Sequence, residues 1–177
     1  MRRIDLSVFI FILLSLFGCK NPEPADFLIP KEYSGRVAVV FEQKQGERPK
    51  YLNGRRIYEV PHNGILLTQF KAEFGFIDYR YFLIDENGTQ TLLPIYEYEY
   101  NKDGTVRYLV GDKEKVGIFG NGTTIAYKEP GHDPTELVFN VPGLEFFVST
   151  FNGLDTVESM EHFEQRVDSI IQNKNSR

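Results

Sequence analysis

The sequence predicts a mainly β domain, an antiparallel β-sandwich or barrel-like fold, carrying one C-terminal amphipathic α-helix. Three observations predict it. Fifteen Phe and ten Tyr occur without a single Trp, and aromatic residues of this kind favour strands. Short apolar runs alternate with Gly, Asn and Pro turns at the spacing of antiparallel strands rather than of βαβ units. After Asp155 the apolar residues change from a two-residue to a 3.6-residue period.

The first residues stand apart from the rest. Met1-Arg2-Arg3 is basic, Leu6 to Phe17 is apolar, and Gly18 is small; these are the three parts of an export signal. The apolar run is well short of the roughly 20 residues that a membrane-spanning helix needs. Leu16-Phe17-Gly18-Cys19 resembles a bacterial lipobox, which implies cleavage between Gly18 and Cys19 and a lipid, with palmitate-type acyl chains, on Cys19. The rival reading is ordinary cleavage, which leaves the chain's one cysteine as a free thiol in an oxidising compartment. Two acyl chains would hold the protein stably, each buried methylene contributing about 0.8 kcal/mol. Lys20 stands where an aspartate would retain the protein in the inner membrane, which leans towards the outer membrane of the envelope. Residues 1–18 are therefore expected to be the signal peptide. Residues 19–26, containing KNPEPAD, are a lipidated tether, 27–172 one domain with its helix over 155–172, and 173–177 a frayed tail.

Within the domain, Pro30 favours extended geometry at Ile29, Gly35 suits positive φ, and Arg36 to Gln43 reads as a buried strand. Arg56 to Val60 and Ile65 to Phe70 read as a hairpin around His62-Asn63-Gly64, because Asn-Gly is the strongest short hairpin signal. The pattern continues with Tyr79 to Asp85, a turn at Asn87-Gly88, and Thr89 to Ile95. Asp103-Gly104 turns into Thr105 to Val110; Asn121-Gly122 separates Lys115–Phe119 from Thr123–Lys128. Glu136–Val141 and Phe146–Thr150 end the β region, with Pro94 and Pro142 expected at strand ends or edges. Asp155 and Glu158 form a variant capping box. Behind it, Val157, Met160, Phe163, Val167, Ile170 and Ile171 share one helical face, suited to covering the sheet.

FLIPKEYSGRVAVVF, residues 27–41, followed by RRIYEVPHNGILLT, resembles an uncharacterised domain of bacterial, chiefly Bacteroidetes, lipoproteins, domain of unknown function 6843. The matching residues are Pro30, Tyr33, Gly35, Val37, Val39, Tyr58, Pro61, Gly64 and Thr68, and the resemblance spans roughly residues 27–150. It implies a secreted or lipid-anchored envelope protein, and it brings no activity and no catalytic residue.

Several function classes are weakened by composition. A net charge of −5 without a dense Lys/Arg cluster lacks the footprint of a nucleic-acid binder. With Cys19 committed to lipid, neither a disulfide nor a thiolate zinc site can form in one chain. The three histidines, His62, His132 and His162, share no metal-ligand spacing. A site of His132, Asp133 and Glu129 is conceivable, but loop polarity explains these residues, so no metal and no cofactor is expected. Neither a Gly-x-Ser-x-Gly elbow nor a phosphate loop is present. Tyr96, Tyr98 and Tyr100 alternate with glutamates and share one strand face. That face is expected in the core first, since strand aromatics mostly pack. If exposed, it is the best candidate binding surface, for a glycan or an envelope protein. The leading reading is a non-catalytic binding or structural module on a membrane. A glycan-acting hydrolase with paired carboxylates and an inhibitor or immunity-type protein with a dedicated partner are the rivals.

Overall fold

A computed structural model of the chain describes residues 21–128 and 139–175. Gly18 and Cys19 lie outside the described residues, as do Glu129, His132 and Asp133. The strands are β1 (Ala25–Pro30), β2 (Gly35–Val40), β3 (Tyr51–Leu52), β4 (Arg55–Glu59), β5 (Ile65–Leu67), β6 (Tyr79–Ile84), β7 (Gln90–Leu92), β8 (Tyr98–Tyr100), β9 (Val106–Tyr108), β10 (Gly117–Lys128) and β11 (Phe139–Ser149). A 3-10 turn, Leu154–Thr156, precedes helix α1 (Met160–Asn175).

One sheet has the order β3-β4-β1-β6-β7, a second β10-β11-β2-β5, and β8-β9 is a separate hairpin. Among the described residues the sheets are open, and none closes into a barrel. They are mixed rather than purely antiparallel: β1 runs parallel to both β4 and β6, and β2 runs parallel to β5. The reason lies in the path of the chain. It leaves β1 for β2 in the other sheet, returns for β3 and β4, leaves again for β5, and returns for β6. On the first return the β3–β4 hairpin reverses the chain before β4 reaches β1, and on the second return β6 reaches β1 directly, so both neighbours of β1 run in its direction. Parallel pairing then needs no helical crossover, because a strand of the facing sheet makes the connection.

The two larger sheets share one core. Ala25, Phe27 and Ile29 of β1 are buried in it, with Val37 and Val39, Tyr58, Leu66, Tyr81, Leu144, Phe146 and Val148. Phe27 is the hub. Its ring stacks on Tyr81 at 4.7 Å and lies 4.9 Å from Tyr58, 5.4 Å from Tyr79 and, across the layers, 5.2 Å from Phe146. This arrangement accounts for the aromatic-rich, Trp-free composition: offset and edge-on ring pairs add to area burial. β2 is buried on both faces. Val37 and Val39 point inward, while Ala38 and Val40 face a second cluster with Ile65, Leu67, Tyr127 and Val141. Helix α1 closes that cluster with Phe163, Val167 and Ile171, spaced four residues apart. Each such side chain contributes roughly 1.5–3 kcal/mol on burial. The helix therefore covers the sheet, as its periodicity predicts.

Several local expectations are corrected. β4 and β5 belong to different sheets, so Pro61 to Gly64 is a corner between layers rather than a hairpin turn. A two-residue type I′ hairpin turn needs positive φ at both central residues; here Gly64 has φ 77° but Asn63 is not in that region. Asn121-Gly122 does not turn the chain either. It forms a bulge inside the continuous strand β10, where the register with β11 shifts between Phe119 and Thr123. The bulge places Asn121 Oδ1 to accept the hydroxyl of buried Tyr81. Pro142 lies within β11 opposite Ala126, not at a strand end; its carbonyl accepts the Phe41 amide at 3.0 Å. Helix α1 begins at Met160, later than residue 155. Asp155 sits in the 3-10 turn, and Ser159 caps the helix, its Oγ accepting the His162 amide at 3.4 Å. The sheet takes up the chain before residue 27, because β1 already starts at Ala25 and Pro24 accepts the Arg56 amide at 2.9 Å.

The sheet is fastened at the start of β1. Asp26 points away from the Phe27 core and is nearly buried. Its carboxylate accepts Arg80 through Nε at 2.8 Å and Nη2 at 2.6 Å from β6, and Arg55 Nε at 2.5 Å from β4. Burial pushes this carboxyl up, but the hydrogen bonds and charges of Arg80 and Arg55 outweigh it and hold Asp26 below its ordinary value of 3.8. A carboxyl depressed by folding stabilises above its unfolded value and loses that stabilisation as pH falls through the folded one. Acid unfolding of wild type should therefore steepen below about pH 4, and Asp26→Asn should flatten that limb. At pH 7, Asp26→Asn should cost about 1–3 kcal/mol in urea titration, since Arg80 keeps an open side. Gly64→Ala should cost about 1–3 kcal/mol in the same assay. Its Cβ would clash with Tyr33 Oη and meet the Arg36 carbonyl at 2.5 Å, at φ 77°.

Candidate functional site

The three alternating tyrosines divide between core and surface. Tyr96 is 9 % exposed, with its ring 4.8 Å from Phe119 and its hydroxyl donating to the Lys115 carbonyl at 3.2 Å. Tyr98 and Tyr100, in β8, are 44 % and 69 % exposed. The antiparallel register sets Tyr98 opposite Tyr108 and Tyr100 opposite Val106. Facing pairs and alternate residues share one side of a two-stranded ribbon, so these four residues make one apolar face. The rings form a chain from surface to core: Tyr100 to Tyr98 at 5.6 Å, Tyr98 to Tyr108 at 5.8 Å, and Tyr108 to Phe119 at 4.9 Å. The other face carries the Glu99–Arg107 ion pair. The hairpin is tied back at its start, Tyr96 N donating to the Ile118 carbonyl, and its base is closed by Leu109 N donating to the Glu97 carbonyl, each at 2.8 Å. Its tip follows from sequence: Asp103 Oδ1 accepts the Thr105 amide at 2.9 Å, and Gly104 takes φ 83°. Exposed aromatic rings with few rotatable bonds suit recognition, because little side-chain freedom is lost on contact.

A cleft of about 610 Å³ lies where the β1–β2 corner, the Pro61–Gly64 turn and the start of α1 meet. It brings His62 and His162 to one lining with Tyr33, Arg36, Glu158 and Arg166, a grouping that the linear sequence does not signal. The polar groups there engage one another. Glu158 accepts His162 Nδ1 at 2.8 Å and Arg166 Nη1 at 2.7 Å; Arg166 also donates to the Asn63 carbonyl at 2.6 Å, and Arg36 Nε to the Glu158 carbonyl at 3.0 Å. Burial pushes the Tyr33 phenol up to about 12, with Arg166 pulling against it. The network fastens the helix start to the corner below it. Among the described residues, no group of three or more His, Cys, Asp or Glu is arranged to hold a metal.

Three of the acids are engaged within the fold. Asp85 accepts the Thr89 and Asn87 amides at 2.9 and 3.0 Å, and these bonds hold its carboxyl below the usual range. Glu59 pairs with Lys50 at 2.6 Å. Glu145 is pushed up by burial and so resembles a proton donor, yet it accepts the Tyr127 hydroxyl at 2.6 Å in the buried layer beneath α1.

The residues that carry the family resemblance have structural tasks. Tyr33 donates to the Arg36 carbonyl and packs on Gly64; Val37, Val39 and Tyr58 fill the core; Thr68 Oγ1 accepts the Phe70 amide at 3.2 Å. No curated protein matches the chain. Among solved structures, the fold is shared with the crystal structure of a "putative lipoprotein" from Bacillus anthracis, with a TM-score of 0.58, 19% sequence identity, and coverage of 88% of this chain and 96% of that one. At this identity the likeness establishes the fold. The model of a family of unknown function, DUF6843, matches residues 22–132, which takes in the whole five-stranded sheet and stops before β11. The chain therefore belongs to the family of unknown function DUF6843.

Proposed function

We propose that this protein is a lipid-anchored lipoprotein of the bacterial envelope, held by acyl chains on Cys19, that works as a non-catalytic binding module. The observation that carries the binding role is the β8–β9 hairpin, which presents Tyr98 and Tyr100 to solvent on a support tied into the core through Tyr108 and Phe119. The anchor is supported by the lipobox-like Leu16-Phe17-Gly18-Cys19 and by the name of the Bacillus anthracis protein that shares the fold. Among the described residues no helix is long and apolar enough to cross a membrane. Lys20 following the cysteine favours the outer membrane. The partner class that the hairpin suits is an envelope glycan or protein, whose flat or ring-shaped surface can stack on tyrosine.

Intact mass and fractionation should show a mature chain beginning at Cys19, with acyl mass, in the membrane fraction. Cys19→Ala should move the protein out of that fraction, and an unmodified wild-type mature chain in the soluble fraction would contradict the anchor. A double variant, Tyr98→Ser with Tyr100→Ser, should cost about 1–2 kcal/mol of folding stability through the lost ring pairs and leave the two sheets folded. It should weaken binding in a peptidoglycan and envelope-glycan panel by tenfold or more. Turnover of any panel glycan by wild type would contradict the non-catalytic reading.

A further inference from the structure

The parallel register gathers three chain features at one end of the five-stranded sheet. Ala25 pairs with Arg56 on one side and Tyr79 on the other, so the starts of β1, β4 and β6 lie side by side. The segment preceding each is therefore brought to the same edge: the tether before β1, the Asn53-Gly54 turn before β4, and the 71–78 loop before β6. Arg56 links them, with Nε on Glu23 at 2.9 Å and Nη2 on Glu73 at 2.8 Å, while Glu23 N donates to Glu73 Oε2 at 2.6 Å. Tyr51 adds its hydroxyl to Glu23 at 2.9 Å.

This edge exposes apolar side chains that the fold does not use. Phe76 is 105 % exposed and Phe74 68 %, on either side of Gly75, and Leu52 beside the Asn53-Gly54 turn is also exposed. Two phenylalanines left in water on one short loop are unfavourable unless something covers them. The place of the loop says what does. A methyl built on Gly75 would lie 3.9 Å from Pro22 Cγ, and Pro22 is three residues from Cys19, a reach of about 10 Å when extended. A lipid on Cys19 would thus hold the loop against the bilayer surface. The charge of the nearby acids is largely offset: Glu23 and Glu73 share Arg56, Asp26 and Asp78 share Arg55, and Arg80 adds a third cation on Asp26.

We propose that the Phe74-Gly75-Phe76 loop is a membrane-contact tip that inserts its rings into the leaflet carrying the Cys19 lipid, orienting the domain instead of leaving it to swing on its tether. This inference rests on the anchor reading above. It converts a tether into a two-point attachment, the second point being aromatic rings of the kind favoured at membrane interfaces.

The test uses two features of the composition, the absence of Trp and the single cysteine. Phe76→Trp and Phe74→Trp variants of the mature chain 19–177, which keeps every described residue, are coupled through Cys19 to a maleimide lipid in phosphatidylethanolamine–phosphatidylglycerol vesicles. Both emission maxima should shift to the blue on coupling and be quenched by brominated acyl chains, whereas Tyr100→Trp on the β8–β9 hairpin should show neither change. Unshifted, unquenched emission from both the Phe74→Trp and the Phe76→Trp variant on coupled vesicles would overturn the proposal. A shift without vesicles in a protein that sediments as a dimer would also overturn it, assigning the tip to a second copy of the chain. Because the coupling is chemical, failure of the tip is distinct from failure of the anchor reading, which would show as native protein without acyl mass.

Discussion

The structure depends on β1 being held between two parallel neighbours. Its inward side chains, Ala25, Phe27 and Ile29, are buried to within 1 %, and Phe27 gathers the rings of Tyr58, Tyr79, Tyr81 and Phe146. Its outward Asp26 ties Arg55 and Arg80 from the strands on either side. Neither device suffices alone. Aromatic packing is tolerant of small shifts along a strand, whereas a carboxylate shared by two guanidiniums fixes register because its geometry is directional. A one-residue slip of β1 would turn Asp26 into the aromatic core and Phe27 into solvent. The apolar core and the ion network thus exclude the same error from opposite faces.

From this constraint follows the placement of everything functional. Because β4 and β6 run parallel to β1, their preceding segments lie beside the segment before β1, and the exposed Phe74 and Phe76 come to the edge that the proposal sets against the membrane. The second sheet has a different task. With β2 buried on both faces, it separates the aromatic core from the helix-side cluster of Phe163, Val167 and Ile171. The Tyr127–Glu145 bond at 2.6 Å keeps that inner polar pair satisfied. The β8–β9 hairpin stands outside both sheets and leans on buried Phe119 through Tyr108.

The strand content, the helix and its buried face were legible in the sequence, because period and composition are local properties. What the turns do was not. Asn-Gly occurs five times, at residues 53, 63, 87, 121 and 152, and performs different tasks. Only Asn53-Gly54 has positive φ at both residues, 50° and 75°, and forms the two-residue hairpin of β3 and β4. Asn63-Gly64 turns a corner between sheets, Asn87-Gly88 sits in a longer hairpin loop closed from Asp85 to Thr89, and Asn121-Gly122 is a bulge. The dipeptide permits positive φ; tertiary pairing decides how it is used. The same holds for Tyr96, Tyr98 and Tyr100, whose alternation with glutamate was legible but whose division between core and surface depends on where Phe119 lies. The Phe74–Phe76 loop carried no period at all, and its meaning comes from the parallel register that sets it beside Pro22.

The central claim is that this register makes one edge of the domain the membrane-facing edge. Hydrogen–deuterium exchange of the acylated protein, free in detergent and then in vesicles, tests it most directly. The account predicts slowed exchange on the membrane in residues 71–78 and around Asn53-Gly54, with residues 98–108 of the hairpin unchanged. Slowing in the hairpin, with residues 71–78 exchanging as they do in detergent, would contradict it.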